Sequence, residues 1–164
     1  LAFCWVDDFP FFEKTDEGGW TFTHNPFSAP KPEHREWLMK KEQISEILTT
    51  QYDLVLNGWE IGGGSIRNHA PEALRRVFEV MGLDSETIEG KFGHMFEALS
   101  FGAPPHGGIA WGFDRLVTLL ANEPNIREVI AFPKTSDARD PMMGAPSTVN
   151  QRQLDELGIS IKKP

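Results

Sequence analysis

Gln51-Tyr52-Asp53-Leu54-Val55-Leu56-Asn57-Gly58-Trp59-Glu60-Ile61-Gly62-Gly63-Gly64-Ser65-Ile66-Arg67 is the stretch that decides the fold. Two runs of strand-forming residues flank Asn57-Gly58, a dipeptide that accepts the positive φ angles of a tight hairpin turn. A two-residue turn there sets Leu56 against Trp59, Val55 against Glu60 and Leu54 against Ile61. One face then carries Leu54, Leu56, Trp59 and Ile61, all large and apolar. The other carries Asp53, Val55, Glu60 and Gly62, with Asp53 and Glu60 as diagonal neighbours about 7–8 Å apart at Cα. The pattern predicts an antiparallel sheet with one greasy face and one working face.

Working outward, Ala2-Phe3-Cys4-Trp5-Val6 reads as a buried strand and Trp20–Thr23 as a second short strand. Between them Lys14–Gly19 is a polar turn, and the three prolines from Pro26 to Pro32 mark an irregular loop. Part of Glu33–Leu48 is expected to be helical, with Pro32 placed at its start. Pro71–Met81 reads as a helix closed by Gly82. Ser85–Leu99 reads as another, capped by Asp84 or Ser85, with Gly102 beyond its end. Ile109–Trp111 is a short strand. It leads into a helix over Phe113–Ala121 with Leu116, Leu119 and Leu120 on its inner side. Val129–Phe132 reads as a last buried strand, and Gln151–Leu157 as a short helix. Helices flanking an antiparallel sheet make the fold class α+β.

The 164 residues amount to one domain's worth of chain, at roughly 150 residues per domain. Hydrophobic residues are 40% and charged residues 24%, which excludes long disordered or collagen-like tracts. Sixteen Lys and Arg against 24 Asp and Glu leave a net charge of -8, so a broad basic surface for nucleic acid is excluded. A local cationic pocket for a small anion is not. The single cysteine, Cys4, offers neither an internal disulfide nor a CxxC zinc site, which points to a reducing, intracellular setting. The chain begins at Leu1 rather than Met, which reads as a cut start.

Three constellations carry chemistry. Two acids on the open face of a hairpin repel each other unless a cation, often Mg²⁺ bridging to phosphate, sits between them; solvated surface acids are the alternative. Gly62-Gly63-Gly64 leaves no side chains to pack, which marks a bulge or a ligand close to the backbone. Arg67 follows directly, a fork for a carboxylate or phosphate or else a surface ion pair. Gly108-Ile109-Ala110-Trp111-Gly112-Phe113-Asp114-Arg115 reads strand, glycine, helix start. Arg115 in the first helical turn opposes the helix dipole, so it answers an external anion or pairs with Asp114 or Glu123. His24 and His106 lie in Pro-bounded loops, where a functional histidine fits. His34, His69 and His94 read as structural or exposed. No GxSxG or HExxH motif is present.

Together these segments resemble the catalytic core of bacterial-type aspartyl-tRNA synthetases. The resemblance rests on Tyr52–Arg67, on Gly108–Arg115 as the third signature motif of class II aminoacyl-tRNA synthetases, and on His24-Asn25-Pro26-Phe27, Pro104-Pro105-His106-Gly107-Gly108 and Ile130-Ala131-Phe132-Pro133-Lys134-Thr135. It implies an antiparallel sheet with ATP and L-aspartate lying on it. Asp53 and Glu60 would meet the ATP-bound Mg²⁺. Arg115 would hold the ATP phosphates, with Gly112, Phe113 and Asp114 lining the same nucleotide pocket. Arg67 would pair with the side-chain carboxylate of aspartate, and His24 would sit on a loop closing over it. That loop often carries a second histidine where Asn25 stands.

The implied reaction forms aspartyl-adenylate and pyrophosphate, then passes the aspartyl group to tRNA, with Glu60 and Arg115 as catalytic residues. The implied parent is a longer, cytoplasmic homodimer. These residues would be the C-terminal part of its catalytic domain and inactive alone. Motifs one and two, the anticodon-binding domain and an inserted domain would lie elsewhere. Two alternatives stand beside this reading: a truncated paralogue that binds ATP or an amino acid, and an asparaginyl-type class II synthetase.

Overall fold

A computed structural model describes residues 1–162. The chain divides into two compact units, Leu1–Arg115 and the residues from Leu116 on. The first contains a four-stranded antiparallel sheet in the order β1-β4-β5-β6, formed by Phe3–Val6, Gln51–Leu56, Trp59–Ile66 and Gly107–Trp111. A separate hairpin pairs β2 (Phe12–Lys14) with β3 (Trp20–Phe22). The expected polar turn lies between these two strands, but β2 itself was not expected from the sequence.

The Asn57-Gly58 turn forms as expected, with φ of 51° and 83° at its two residues. Leu56 pairs with Trp59 and Val55 with Glu60. The next expected pair does not form. The register shifts between Leu54 and Val55, so that Leu54 faces Gly62 and Asp53 faces Gly63, with Ile61 as the extra residue on β5. This bulge decides which residues share the working face. Side chains alternate along a strand, so a straight β5 would place Gly62, Gly64 and Ile66 beside Glu60. The bulge swaps in Gly63, Ser65 and Arg67. The expectation for Gly62 is therefore corrected: it lies on the opposite face, paired with Trp111.

Helices flank the sheet: α1 (Arg35–Lys40), α2 (Pro71–Val80) and α3 (Ser85–Ser100). Helix α2 starts on Pro71 and is followed by Gly82 at a φ of 84°. Asp84 caps α3 by accepting from the Thr87 amide, with Gly102 at 99° beyond its end. Only six residues of Glu33–Leu48 become α-helix. A 3-10 turn, Pro32–His34, precedes them, and Lys41 takes a left-handed conformation that stops the helix. One buried cluster joins Phe11, Phe12, Leu38, Ile47 and Val77; another joins Leu74, Phe78, Ile88 and Phe96. These clusters seat the helices and leave the hairpin's acidic face open.

Strand β1 forms, but all four of its residues are exposed, Trp5 by 61% and Cys4 with it. It is the edge strand of the sheet, and Trp5 leans edge-on against Tyr52. Apolar composition found the strand but misplaced it in the interior. Helix α4 spans Phe113–Ala121 as expected, yet it is rotated so that Thr118 is buried and Leu120 is exposed. Val129–Phe132 is not a strand: it leaves a 3-10 turn at Ile126–Glu128, and Phe132 has a φ of 56°, which breaks an extended run. Helix α5 (Gln151–Glu156) forms, capped by Asn150. Among the described residues no helix is long and apolar enough to cross a membrane.

Candidate active site

Strands β4 and β5 carry Asp53, Glu60 and Arg67 to one cavity of about 280 Å³, closed on one side by His24 and Asn25. All of these residues belong to the first unit. The glycines of β5 explain why the face is open. A Cβ at Gly63 would stand 2.6 Å from Asp53 Oδ1 and 3.2 Å from Glu60 Oε1. Both carboxylates therefore lie over this glycine, and only a residue without a side chain leaves them room. A Cβ at Gly64 would run into the Gly108 carbonyl of β6, so that glycine permits close strand pairing.

The two acids are in electrostatic tension. Burial first, and then the Glu60 charge, push the Asp53 carboxyl above its ordinary value; His24 and a hydrogen bond from the Gln51 side chain oppose the rise. Two hard oxygen donors on an open cavity suit a cation such as Mg²⁺, which takes one or two carboxylates and completes its shell with water and phosphate. Among the described residues no group of three or more His, Cys, Asp or Glu forms a fuller protein cage.

Arg115 reaches back to strand β5. Its guanidinium donates to the Glu60 carbonyl at 2.9 Å and to Glu60 Oε2 at 3.5 Å, so it buttresses one of the acids. Gly112 continues the sheet by donating its amide to the Ile61 carbonyl at 2.9 Å. Phe113 is 72% exposed, and neither it, Gly112, Asp114 nor Arg115 lines the cavity that holds the acids.

Arg67 behaves differently. It is half-buried and lines the cavity, and its guanidinium meets no carboxylate among the described residues. Its backbone is fixed by donating to the His106 carbonyl at 2.9 Å and by a bridge to Ser28. A half-buried cation without a counter-charge favours an anion arriving from outside.

Two lining residues, Gln51 and Ser65, were not singled out in the sequence. Gln51, 7% exposed, shares the alternation of Asp53 and Val55, and that signal was available. Ser65, 1% exposed, has a hydroxyl with no hydrogen-bond partner among the described residues. Its place on this face follows from where the bulge falls; the glycine run marked a bulge but not its position. Asn25 pins the loop after His24: its Oδ1 accepts from the Phe27 and Ser28 amides at 3.0 and 3.1 Å and from the Ser28 hydroxyl at 3.3 Å. Of the other histidines, His34 stacks on Trp37 and its Nδ1 accepts from the Leu48 amide, a structural role as expected. His106 is exposed, with Nδ1 2.8 Å from the Pro104 carbonyl.

Comparisons with known proteins bear on the family and the fold. The family described as tRNA synthetases class II (D, K and N) matches residues 1–136. An aspartate–tRNA ligase of Streptomyces coelicolor is 50% identical over 165 aligned positions, covering 100% of this chain and 28% of the relative. An aspartate–tRNA(Asp/Asn) ligase of Chlorobium phaeovibrioides is 52% identical, covering 100% of this chain and 27% of the relative. Among solved structures, the aspartyl-tRNA synthetase of Entamoeba histolytica superposes with a TM-score of 0.61 at 25% identity, over 85% of this chain and 24% of its own. The chain thus spans little more than a quarter of the curated relatives it matches. The match to the family covers most of the sequence and the sheet that builds the cavity, and the chain belongs to the class II tRNA synthetases of the D, K and N group.

Proposed function

We propose that these residues form part of the catalytic core of an aspartate–tRNA ligase. The enzyme joins L-aspartate to ATP, giving aspartyl-adenylate and pyrophosphate, and transfers the aspartyl group to tRNA. The observation that carries this reading is Arg67, a half-buried guanidinium that among the described residues has no carboxylate partner, in the cavity that also holds the acid pair. A side-chain carboxylate of aspartate satisfies it through a two-pronged hydrogen bond; the neutral amide of asparagine satisfies it poorly.

Each remaining residue has a place in this scheme. His24 closes the aspartate end of the cavity. Asp53 and Glu60 hold Mg²⁺, which when bound neutralises charge on the ATP phosphates. Arg115 orients Glu60 and lies beside Gly112, Phe113 and Asp114, the residues assigned to the nucleotide. The reaction needs no protein nucleophile, because the aspartate α-carboxylate itself attacks the α-phosphate. The side chains supply position and fixed charge. The full enzyme works in the cytoplasm as a homodimer, with tRNA bound largely by chain outside these residues, consistent with the acidic balance here.

Pyrophosphate exchange by the full-length enzyme tests the reading. Exchange is expected with L-aspartate and ATP, and only weakly with L-asparagine. Preference for asparagine would transfer the chain to the asparaginyl-type alternative.

A further inference from the structure

The segment joining β1 to β2 has no assigned role, yet it meets the His24 loop at three points. Asp8, at a φ of 62°, turns the chain, and its carboxylate accepts from the Lys31 ammonium at the far end of that loop. The Phe11 carbonyl accepts from the Thr23 amide at 3.0 Å, next to His24. Between these two ties the Phe9 ring lies against the His24 imidazole, centroids 4.9 Å apart and planes at 60°. Phe9 is itself held, since its carbonyl accepts from the Thr49 amide at 2.8 Å and Pro10 bridges to Leu48.

His24 is exposed, and among the described residues no hydrogen bond of its own fixes the ring. Asn25 pins the backbone that follows, but a pinned backbone leaves the imidazole free to rotate about its side-chain torsions. The Phe9 ring blocks that rotation on one side. It leaves the imidazole at the mouth of the cavity that Asp53 also lines.

We propose that Phe9 is a positioning residue for aspartate binding, acting through His24: its ring holds the imidazole in the orientation that closes the cavity. The inference rests on the assignment of His24 to the aspartate end of the site, given above. An aromatic contact of this kind is worth a few-fold to tenfold in an equilibrium.

The test is a double-mutant cycle in the full-length enzyme, read as KM for aspartate and for ATP and as kcat in pyrophosphate exchange. Phe9→Leu is expected to raise KM for aspartate about three- to tenfold, with kcat and KM for ATP nearly unchanged. Phe9→Tyr, which keeps the ring, restores the wild-type KM. In a His24→Ala background Phe9→Leu has no further effect. Phe9→Met serves the same purpose if the Leu variant fails to fold. The proposal is overturned if Phe9→Leu and Phe9→Met leave KM for aspartate unchanged, if the loss adds in full to that of His24→Ala, or if it spreads equally to ATP. A His24→Ala enzyme with unaltered aspartate KM would instead remove the assignment of His24, and the proposal with it.

Discussion

The two ends of strand β5 solve opposite electrostatic problems. At the Glu60 end two carboxylates crowd over Gly63, and the nearest cation, Arg115, is already engaged with Glu60. At the other end Arg67 lines the same cavity and, among the described residues, forms no ion pair. One end has surplus negative charge and the other an unanswered positive charge, yet the protein does not pair them with each other. A ligand that brings a cation to the first end and an anion to the second resolves both. An amino acid with an acidic side chain, joined to a metal-bound nucleotide, has that distribution.

This contrast can be broken from either end. Arg67→Leu should produce the largest change, a loss of about a hundred- to a thousandfold in aspartate-dependent exchange by the full-length enzyme. ATP binding measured separately should be little altered. Glu60→Gln comes next, with the Mg²⁺ concentration needed for half-maximal exchange rising about ten- to a hundredfold. Gly63→Ala should act on the same end more mildly. Its new methyl displaces Asp53 and Glu60 rather than deleting either, so a shift of about tenfold in Mg²⁺ dependence is expected, with aspartate KM moving less.

The smallest effect concerns stability. The folded protein holds the Asp53 carboxyl above its ordinary value, so the folded state binds this proton more tightly than the unfolded chain does. Stability is therefore expected to fall as pH rises through the folded Asp53 pKa, and to be relieved on acidification. Thermal melts in EDTA should show this slope, and Asp53→Asn should flatten it. Partial solvent exposure keeps the difference below about 1 kcal/mol.

What could be read in advance follows the reach of the forces involved. The Asn57-Gly58 turn, the caps of α2 and α3, and the span of α4 depend on neighbours a few residues away, and they lay open in the sequence. So did the meeting of Asp53 and Glu60, because period-2 alternation from the turn brings both to one face. The glycine run signalled a bulge, but its position opposite Leu54 and Val55 was not legible. Three successive glycines permit an extra residue at several places, and the neighbouring strand β6 selects among them. That one residue brings Ser65 and Arg67 to the cavity. Burial of β1 and pairing at Val129–Phe132 were misread for a related reason: an apolar run announces strand-forming residues but not what lies across from them. For Arg115 the sequence offered an external anion or a pair with Asp114 or Glu123, and not the contact the sheet provides. Its actual partner, Glu60, stands 55 residues earlier and is reached only through the sheet.

The most direct test of the central claim is calorimetric binding of L-aspartate to the full-length enzyme, wild type against Arg67→Leu, without ATP. The account predicts measurable aspartate affinity in the wild type, weaker binding of L-asparagine, and loss of aspartate binding by the variant with its fold intact. Aspartate bound equally well by Arg67→Leu would contradict it, because the unpaired guanidinium would then not be the group that recognises the substrate.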